Sequence, residues 1–153
     1  MKAKTVDESR VTISAIVTPQ DANISGNVHG GVIMKHIDNV GGIVATRHSQ
    51  CSVVTASIER IDFHRPAFIG DILTLKASLN MVGRTSMEVG VRVESENVMT
   101  GEIRHNASAY LTFVAMDEDR NVKEVPPLKL ESEDDNRRYQ AALQRKQRRT
   151  GQD

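Results

Sequence analysis

Hydrophobic and polar residues alternate along much of the chain, and the alternating stretches are rich in Val, Ile and Thr. Both features are typical of β-strands with one buried face. The centre of the last such stretch, 107–115, is apolar on both faces, so we expect a covered central strand there. The stretches predicted as strands are 10–17, 53–63, 71–81, 86–96 and 102–117.

A helical period replaces the alternation between residues 31 and 48. Gly41 and Gly42 are unfavourable inside a helix, by about 1 kcal/mol each relative to Ala, so we expect a sheet or a partner helix to approach them closely. The apolar positions recur every three or four residues and form one broad face. They are Ile33, Met34, Ile37, Val40, Gly41, Val44 and Ala45.

The two ends of the chain are polar and charged. Residues 1–8 carry mixed charges and are predicted to be a loose tail. Residues 131–148 are predicted to form a separate helix, with Ser132 as N-cap, acidic residues in the first turn and arginines in the last. We expect this helix to fray beyond about Gln147, and its charge runs favour a solvated face over a binding arm.

One long helix against one face of a five-stranded antiparallel sheet is an α+β architecture. The 153 residues suit a single domain and are too few for two separate cores. The predicted order places the core between about 9 and 128, with the C-terminal helix added to it.

Composition narrows the classes of partner. Lys plus Arg and Asp plus Glu each number 20, and aromatic residues make up only 3% of the chain. This balance argues against binding to nucleic acids. The single Cys51 excludes an internal disulfide and fits a reducing compartment. Without a secretory signal or an apolar run of membrane-spanning length, we expect a cytoplasmic protein with no membrane partner.

Candidate chemistry is concentrated between residues 21 and 38. Gly30 and Gly31 stand at the start of the predicted long helix, where free N–H groups and the helix dipole suit an oxyanion or a polarised carbonyl. Asp38 lies on the border of the apolar face, where partial loss of water would make its carboxylate a stronger base. Taken by themselves, these residues fit a plain glycine-rich turn into a core helix at least as well as a catalytic site.

Further motifs extend this pattern over residues 10–145, and in a fixed order. They are Asn23-x-x-Gly26-x-Val28-His29-Gly30-Gly31, Met34-Lys35-x-x-Asp38, Val53-Val54-Thr55-Ala56-Ser57, Asp62-Phe63-His64-x-Pro66, Gly83-Arg84-Thr85-Ser86-Met87-Glu88 and Phe113-Val114-Ala115. The set resembles acyl-CoA thioesterases of the hotdog fold, in particular bacterial short-chain acyl-CoA hydrolases and the cytosolic brain-type acyl-CoA hydrolase. The resemblance implies a sheet wrapped around one helix and hydrolysis of acyl-CoA to a free fatty acid and CoA.

The resemblance also implies a catalytic pair, Asp38 and Asn23, contributed by different subunits across a dimer interface. Asp38 would act as general base on water or attack the thioester carbonyl directly. Asn23 would orient the water or the carbonyl. The N–H of Gly30 or Gly31 would polarise the thioester oxygen, and His29 would shape the loop.

Contacts with CoA are less specific in the sequence. The turn at 83–86 fits either a cradle for a CoA phosphate or a plain hairpin turn. Thr55 fits either the channel for the pantetheine arm or an ordinary strand position, and Arg60 fits either a phosphate contact or a surface arginine. CoA enters as part of the substrate, and no resident cofactor or metal is expected. The candidate CoA-binding residues are Thr55, Arg60, Gly83, Arg84, Thr85 and Ser86.

Two other functions are compatible with the same fold. An acyl-thioester dehydratase or hydratase needs a catalytic His with an acid on the helix, whereas His64 before Pro66 is explained by a turn. A non-catalytic acyl-CoA sensor would bind its ligand without releasing thiol. In every case a lone chain leaves a sheet edge open and the site half-built. We therefore expect a dimer at minimum, and the resemblance points to a homohexamer built as a trimer of dimers.

Overall fold

The computed structural model describes residues 1–151, and its elements follow the predicted order. The five long strands form one antiparallel sheet with the order β2-β4-β5-β6-β3, which confirms the predicted sheet with its long helix and C-terminal helix. In chain order, the elements are β1 (Lys4–Thr5), β2 (Val11–Ile16), a 3₁₀ turn (Pro19–Asp21), α1 (Gly30–Ser49), β3 (Ser52–Phe63), β4 (Ile72–Val82), β5 (Ser86–Glu96), β6 (Ile103–Met116), β7 (Leu128–Lys129) and α2 (Glu133–Thr150).

The core lies between α1 and the inner face of the sheet. Ile37, Val40 and Val44 of the predicted helical face are fully buried, and they join one apolar cluster with inward residues such as Leu75 and Leu111. Each such side chain contributes about 1.5–3 kcal/mol when it leaves water. Burial of this one face therefore fixes the position of α1 on the sheet.

The close approach expected at the paired glycines is found at Gly41. A Cβ built on Gly41 would lie 3.0 Å from Cε2 of Phe113 on β6, whereas one on Gly42 would lie 3.9 Å from the same ring. The prediction for Met34 was wrong, because this side chain is 41% exposed. Met34 stands at the margin of the apolar face, beyond the reach of the sheet.

The outer face of the sheet is more buried than its polar residues indicated. Ser78, Asn80 and Glu88 alternate with the core residues and are nevertheless less than 10% exposed. The helix α2 covers them, and Arg145 forms an ion pair of 2.7 Å with Glu88. Ser132 caps α2 as predicted. The helix continues to Thr150, three residues past the expected fraying point.

The predicted loose tail is instead tied to the core. Its strand β1 pairs in parallel with β7, and the ammonium of Lys4 donates to the carbonyl of His48 at 2.9 Å. Val6 is only 3% exposed. Both strands of this pair contain two residues, which is too short to give an alternating pattern, so the sequence carried no sign of the pairing.

The sheet order also corrects the predicted central strand. β6 lies between β5 and β3, and the centre of the sheet is β5. The two edges are β2 and β3. Residues 54–58 of β3 are all exposed, so this twelve-residue strand offers unpaired backbone groups along most of its free side.

Candidate active site

Asp38 is held by a residue of the neighbouring edge strand. It lies on α1 and is partly buried, as its place on the border of the apolar face predicted. The hydroxyl of Thr55 on β3 donates to Oδ1 of Asp38 at 2.6 Å. No hydrogen bond to Oδ2 is formed within residues 1–151, so one carboxylate oxygen remains free to accept a proton.

Thr55 lies on the face of β3 that turns towards α1, and a β-bulge follows it directly. Thr55 pairs with Phe113 and Ser57 pairs with Thr112, so Ala56 is an extra residue without a partner on β6. Such an insertion bends a strand and redirects its side chains. Sequence reasoning placed Thr55 among contacts to CoA and missed the contact with Asp38, because alternation along a strand does not show which helix residue it faces.

The start of α1 presents unpaired backbone donors. His29 occupies the N-cap position, and its side chain makes no capping hydrogen bond. Its carbonyl accepts from the N–H groups of Val32 and Ile33. The N–H groups of Gly30 and Gly31 have no acceptor in the described part of the chain, as expected for the first helical turn. Both glycines are exposed, so these donors are accessible to a ligand oxygen.

Asn23 is fixed in the loop that leads to this helix start. Its Oδ1 accepts from the backbone N–H of Ser25 at 3.0 Å and of Asn27 at 3.2 Å. Both partners are donors, so the accepting atom is the oxygen, and the amide nitrogen Nδ2 is left for another contact. Within residues 1–151, Nδ2 has no partner. Asn23 therefore presents an N–H donor at the surface beside the start of α1.

A single chain keeps these groups in two separate places. Asp38 and Thr55 form one, while Asn23, Gly30 and Gly31 lie at the start of α1. Eight residues of helix separate Gly30 from Asp38, which corresponds to about 12 Å along the helix axis. One carbonyl group cannot contact both the Asp38 carboxylate and the Gly30 N–H of the same chain.

The turn at 83–86 joins β4 to β5 and is tied to its surroundings. The N–H of Gly83 donates to the carbonyl of Ser86 at 2.8 Å. The carbonyls of Arg84 and Thr85 accept from Val125 and Ala115, and the guanidinium of Arg84 is exposed and lies 3.6 Å from Glu124. The turn therefore has a fixed backbone and one side chain that can reach a ligand.

Strand register places this turn at the same end of the sheet as Thr55. Ser86 pairs with Val114 on β6, and Val114 pairs with Val54, the residue before Thr55. Arg60 lies farther along β3, where it pairs in register with Tyr110 and forms an ion pair of 2.8 Å with Asp62. The structure thus brings the turn close to the level of Thr55 and leaves Arg60 apart from it.

The histidine considered for a dehydratase lies outside the candidate site. The ring of His64 packs against His105 on β6, with 4.7 Å between the ring centroids. Burial lowers the pKa of His105, and the positive charge of Arg92 adds to this effect. Neither ring hydrogen-bonds to Asp38, which leaves the dehydratase interpretation without its acid–His pair.

Residues 1–151 contain no group of three or more His, Cys, Asp or Glu side chains that could hold a metal ion together. None of the helices in this range is long and apolar enough to cross a membrane.

The chain is similar to a known protein family and to several known proteins. The model of the thioesterase superfamily matches residues 25–102. Protein VdlD of Helicobacter pylori is 40% identical over 95% of this chain and 83% of its own length. The human cytosolic acyl coenzyme A thioester hydrolase is 36% identical over 96% of this chain. This chain spans only 40% of that human protein.

Solved structures of similar sequence share the whole fold. An apo-hexameric acyl-CoA thioesterase superposes with a TM-score of 0.95 at 38% identity and covers 99% of this chain and 97% of its own. An acyl-CoA hydrolase from Staphylococcus aureus, solved with butyryl coenzyme A, coenzyme A and coenzyme A disulfide, superposes with a TM-score of 0.90 at 36% identity over 97% and 91%. Alanine variants of one aspartate, one asparagine and one threonine of that enzyme have also been solved.

Proposed function

Because this chain belongs to the thioesterase superfamily, we propose that it hydrolyses acyl-CoA thioesters to a free carboxylic acid and CoA. The observation that carries the proposal is the pairing of the Asp38 carboxylate with Thr55 on a fold shared over nearly its whole length with acyl-CoA hydrolases. The names of the relatives support the same substrate class. CoA is substrate and product here, and we propose no resident cofactor.

The spacing of the site residues supports their assignment. In the Staphylococcus aureus enzyme, the asparagine, aspartate and threonine chosen for alanine variants are separated by 15 and 17 residues along the chain. Asn23, Asp38 and Thr55 are separated by the same two intervals. We propose that these three residues form the catalytic group of this chain.

Asp38 acts on water or on the thioester carbonyl. In the first route, the free oxygen of Asp38 removes a proton while the water oxygen bonds to the carbonyl carbon. In the second, Asp38 itself bonds to that carbon and water later releases the acid. In both routes the bond from carbon to sulfur breaks and the thiolate of CoA takes up a proton. Thr55 holds Oδ1 of Asp38 and thereby orients Oδ2 towards the reacting atom.

The carbonyl oxygen becomes negative in either route and needs donors. The N–H of Gly30 or Gly31 supplies one, at the positive end of the α1 dipole. The Nδ2 group of Asn23 supplies another or orients the attacking water. His29 shapes the loop between these donors. A good donor of this kind is worth about 3 kcal/mol in the transition state.

The site is completed by a second copy of the chain. In one copy Gly30 lies about 12 Å from Asp38 along α1, so we propose that Asp38 and Thr55 of one subunit face Asn23, Gly30 and Gly31 of its partner. The exposed edge of β3 offers the backbone groups for that pairing. We propose a dimer as the catalytic unit and a trimer of dimers as the full assembly, which the hexameric relative supports.

The nucleotide part of CoA is assigned to the same end of the sheet. The turn Gly83, Arg84, Thr85 and Ser86 lies there beside a groove of about 550 Å³ between it and α2. We propose that Arg84 meets a phosphate of CoA, and that Arg60 does so only from another subunit. Relatives named as cytosolic enzymes support a cytoplasmic location.

The direct test follows thiol release from acetyl-, butyryl-, octanoyl- and palmitoyl-CoA. We expect the wild type to turn over at least one of them and Asp38→Asn to lose at least ~100-fold in kcat, the usual worth of a positioned base or nucleophile. Asp119→Asn makes the same change in an exposed turn and should keep full activity. Binding without thiol release in the wild type would indicate a sensor instead, and full activity of Asp38→Asn would overturn the site.

A mixing experiment tests the shared site. Asn23→Ala and Asp38→Ala are each expected to be nearly inactive, but a mixed dimer contains one intact site made from the two wild-type residues. Random mixing should restore about a quarter of wild-type activity, because half of the dimers are mixed and each has one of two sites. No recovery after unfolding and joint refolding would place both residues in one chain's site.

A further inference from the structure

A second cavity lies on the side of the sheet opposite α1. It occupies about 490 Å³ between α2 and the outer face of β4, β5 and β6, and we call it the outer cavity. No carboxylate is among its lining residues within the described chain. Its lining includes six cationic side chains: Arg10, Lys76, Arg92, Arg137, Arg138 and Arg145.

The carboxylates around the outer cavity do not balance these cations. Lys76 and Arg92 share the single carboxylate of Glu94, at 2.9 and 3.0 Å. Their hydrogen bonds hold the pKa of Glu94 below its ordinary value. Arg137 and Arg138 likewise share the carboxylate of Asp134.

The remaining two cations have one carboxylate each. Arg10 pairs with Asp7, and Arg145 pairs with Glu88. The six cations are therefore met by four acids, which leaves a local excess of two positive charges. The chain as a whole is neutral, so this excess belongs to the outer cavity and attracts anions to it.

A buried amide on the floor of the outer cavity has no partner. Asn80 is only 4% exposed, and its side chain makes no hydrogen bond to any residue between 1 and 151. Gly90 on the next strand makes room for it, since a Cβ there would lie 2.8 Å from Nδ2 of Asn80. The amide atoms of Asn80 are not among the polar atoms sealed from solvent without a partner, so they face the cavity and are open to water or a ligand there. Asn80 is thus placed to bind a ligand within the cavity.

We propose that the outer cavity binds the phosphate group of a small phosphate ester. A phosphate monoester carries close to two negative charges near neutral pH, which matches the excess of two cations. Arginine side chains bind phosphate oxygens through paired N–H groups. The amide of Asn80 supplies a neutral donor, and the hydroxyl of Ser78, 7% exposed, lies on the same face. The volume is in the range of small-molecule sites.

Two sources of phosphate ester share this chemistry. One is the nucleotide part of a CoA molecule bound to a neighbouring copy of the chain, and the other is a free phosphate ester that acts away from the active site. Asp38 lies on the inner side of the sheet, so the outer cavity of a chain is separate from its own Asp38. The first source rests on the proposed hydrolase function, whereas the second does not.

Binding is tested by calorimetry on the assembled protein, with ribose 5-phosphate as the probe. We expect saturable binding that weakens as salt is added. Ala141→Glu places a carboxylate in the cavity, four residues from both Arg137 and Arg145 on α2, and should weaken binding at least tenfold. Arg138→Gln removes one lining cation and should weaken it severalfold. Arg148→Gln makes the same charge change on the exposed side of α2 and should leave the affinity within twofold.

Two results would overturn the proposal. One is the absence of saturable binding by the wild type up to about 10 mM probe, beyond the millimolar range of a weak site. The other is an equal loss in Arg148→Gln and Arg138→Gln, which would show attraction to the general charge of α2. Should Ala141→Glu fail to fold by circular dichroism, Arg138→Gln decides the result, because Gln keeps helix propensity.

Kinetics then separate the two sources. If the outer cavity takes the 3′-phosphate of CoA, Ala141→Glu raises KM for butyryl-CoA and leaves KM for butyryl-3′-dephospho-CoA unchanged. If it takes a free ester, both KM values are unchanged in the variant while the wild type still binds ribose 5-phosphate. The calorimetric result does not depend on thioester hydrolysis, so failure of the hydrolase assay and failure of this proposal are distinguishable.

Discussion

The two long helices cover opposite faces of one sheet and are held there by different forces. α1 buries seven residues, mostly aliphatic, and Gly41 lies so near the sheet that a Cβ there would be 3.0 Å from Phe113. α2 buries only Ala142 and Arg145. Its main attachment is the ion pair between Arg145 and Glu88, with the guanidinium 3.6 Å above the ring of Tyr110.

The difference bears on the two sites proposed for this sheet. Apolar packing fixes α1 closely, so Asp38 on its margin keeps a set position opposite Thr55. Ion pairs made by long side chains hold α2 on the sheet, and a charged cavity lies between the two. Rigid placement suits a group that must meet a reacting atom, whereas a cavity lined by long cationic side chains suits a ligand held by charge.

The largest expected effect on stability comes from weakening the apolar packing of α1 against the sheet. Ile37→Ala removes three carbon atoms from a fully buried position and should cost about 4 kcal/mol of unfolding free energy, in the upper part of the range for such cavities. Ile16→Ala makes the same change at a 65% exposed position and should cost less than about 1 kcal/mol. Denaturant unfolding of both variants measures this, and equal costs would contradict the picture of a packed α1.

Breaking the ion pair between Glu88 and Arg145 should have the next largest effect on stability. Glu88→Leu leaves the charge of Arg145 buried without a partner and should cost about 3 kcal/mol. The double variant Glu88→Leu with Arg145→Met replaces the pair by apolar groups and should return to within about 1 kcal/mol of the wild type. A cost of the single variant near zero would mean that contact with Tyr110 suffices to hold Arg145.

The adjacent residues Gly41 and Gly42 test how closely α1 packs on the sheet. Gly41→Ala adds a methyl 3.0 Å from Phe113, and overpacking should exceed the gain in helix propensity by about 1 kcal/mol. Gly42→Ala adds one at an ordinary contact distance and should stabilise the protein by up to about 1 kcal/mol. Thermal unfolding of the two variants should therefore shift in opposite directions.

The smallest expected effect is the pH dependence of stability that His48 causes near the C-terminal end of α1. His48 is 1% exposed, and Nε2 lies 2.7 Å from the carbonyl of Pro126. Burial lowers its pKa in the folded state. The unfolded chain then takes up a proton first as the pH falls below about 6.5, so stability should decrease from that pH downwards.

The variant His48→Gln should show less of this decrease. Glutamine keeps an N–H donor for Pro126 but does not titrate. His105 also has a lowered pKa and contributes in the same direction, so the quantity to compare is the difference between variant and wild type at each pH. An unchanged pH profile would assign the whole effect to His105.

Much of the inner face could be predicted from the sequence, because its pattern is local. Ile33, Ile37, Val40 and Val44 repeat over three turns of helix. The inward residues alternate along β4 as far as Leu79, where a bulge follows, and along β5 from Met87 to Val93. The candidate site at 21–38 was found by motif resemblance. Local spacing alone left a plain glycine-rich turn as an equally good explanation.

Features that depend on distant segments could not be predicted in this way. Glu88 and Asn80 look like solvent-facing residues until α2, some sixty residues later, covers them. The contact of Thr55 with Asp38 joins β3 to α1, and alternation along β3 does not show which residue of the helix Thr55 meets. The pairing of β1 with β7 joins the two ends of the fold through segments of two residues each.

The open edge of β3 has a consequence for how the enzyme behaves in a cell. A chain whose twelve-residue edge strand has one free side is vulnerable to wrong strand pairing until its own partner arrives, so the time between synthesis and assembly is the period of greatest aggregation risk. If the site also needs two chains, newly made enzyme becomes active by a second-order process. Output at low expression should then rise with the square of the amount of protein, which makes this enzyme a sensor of its own abundance.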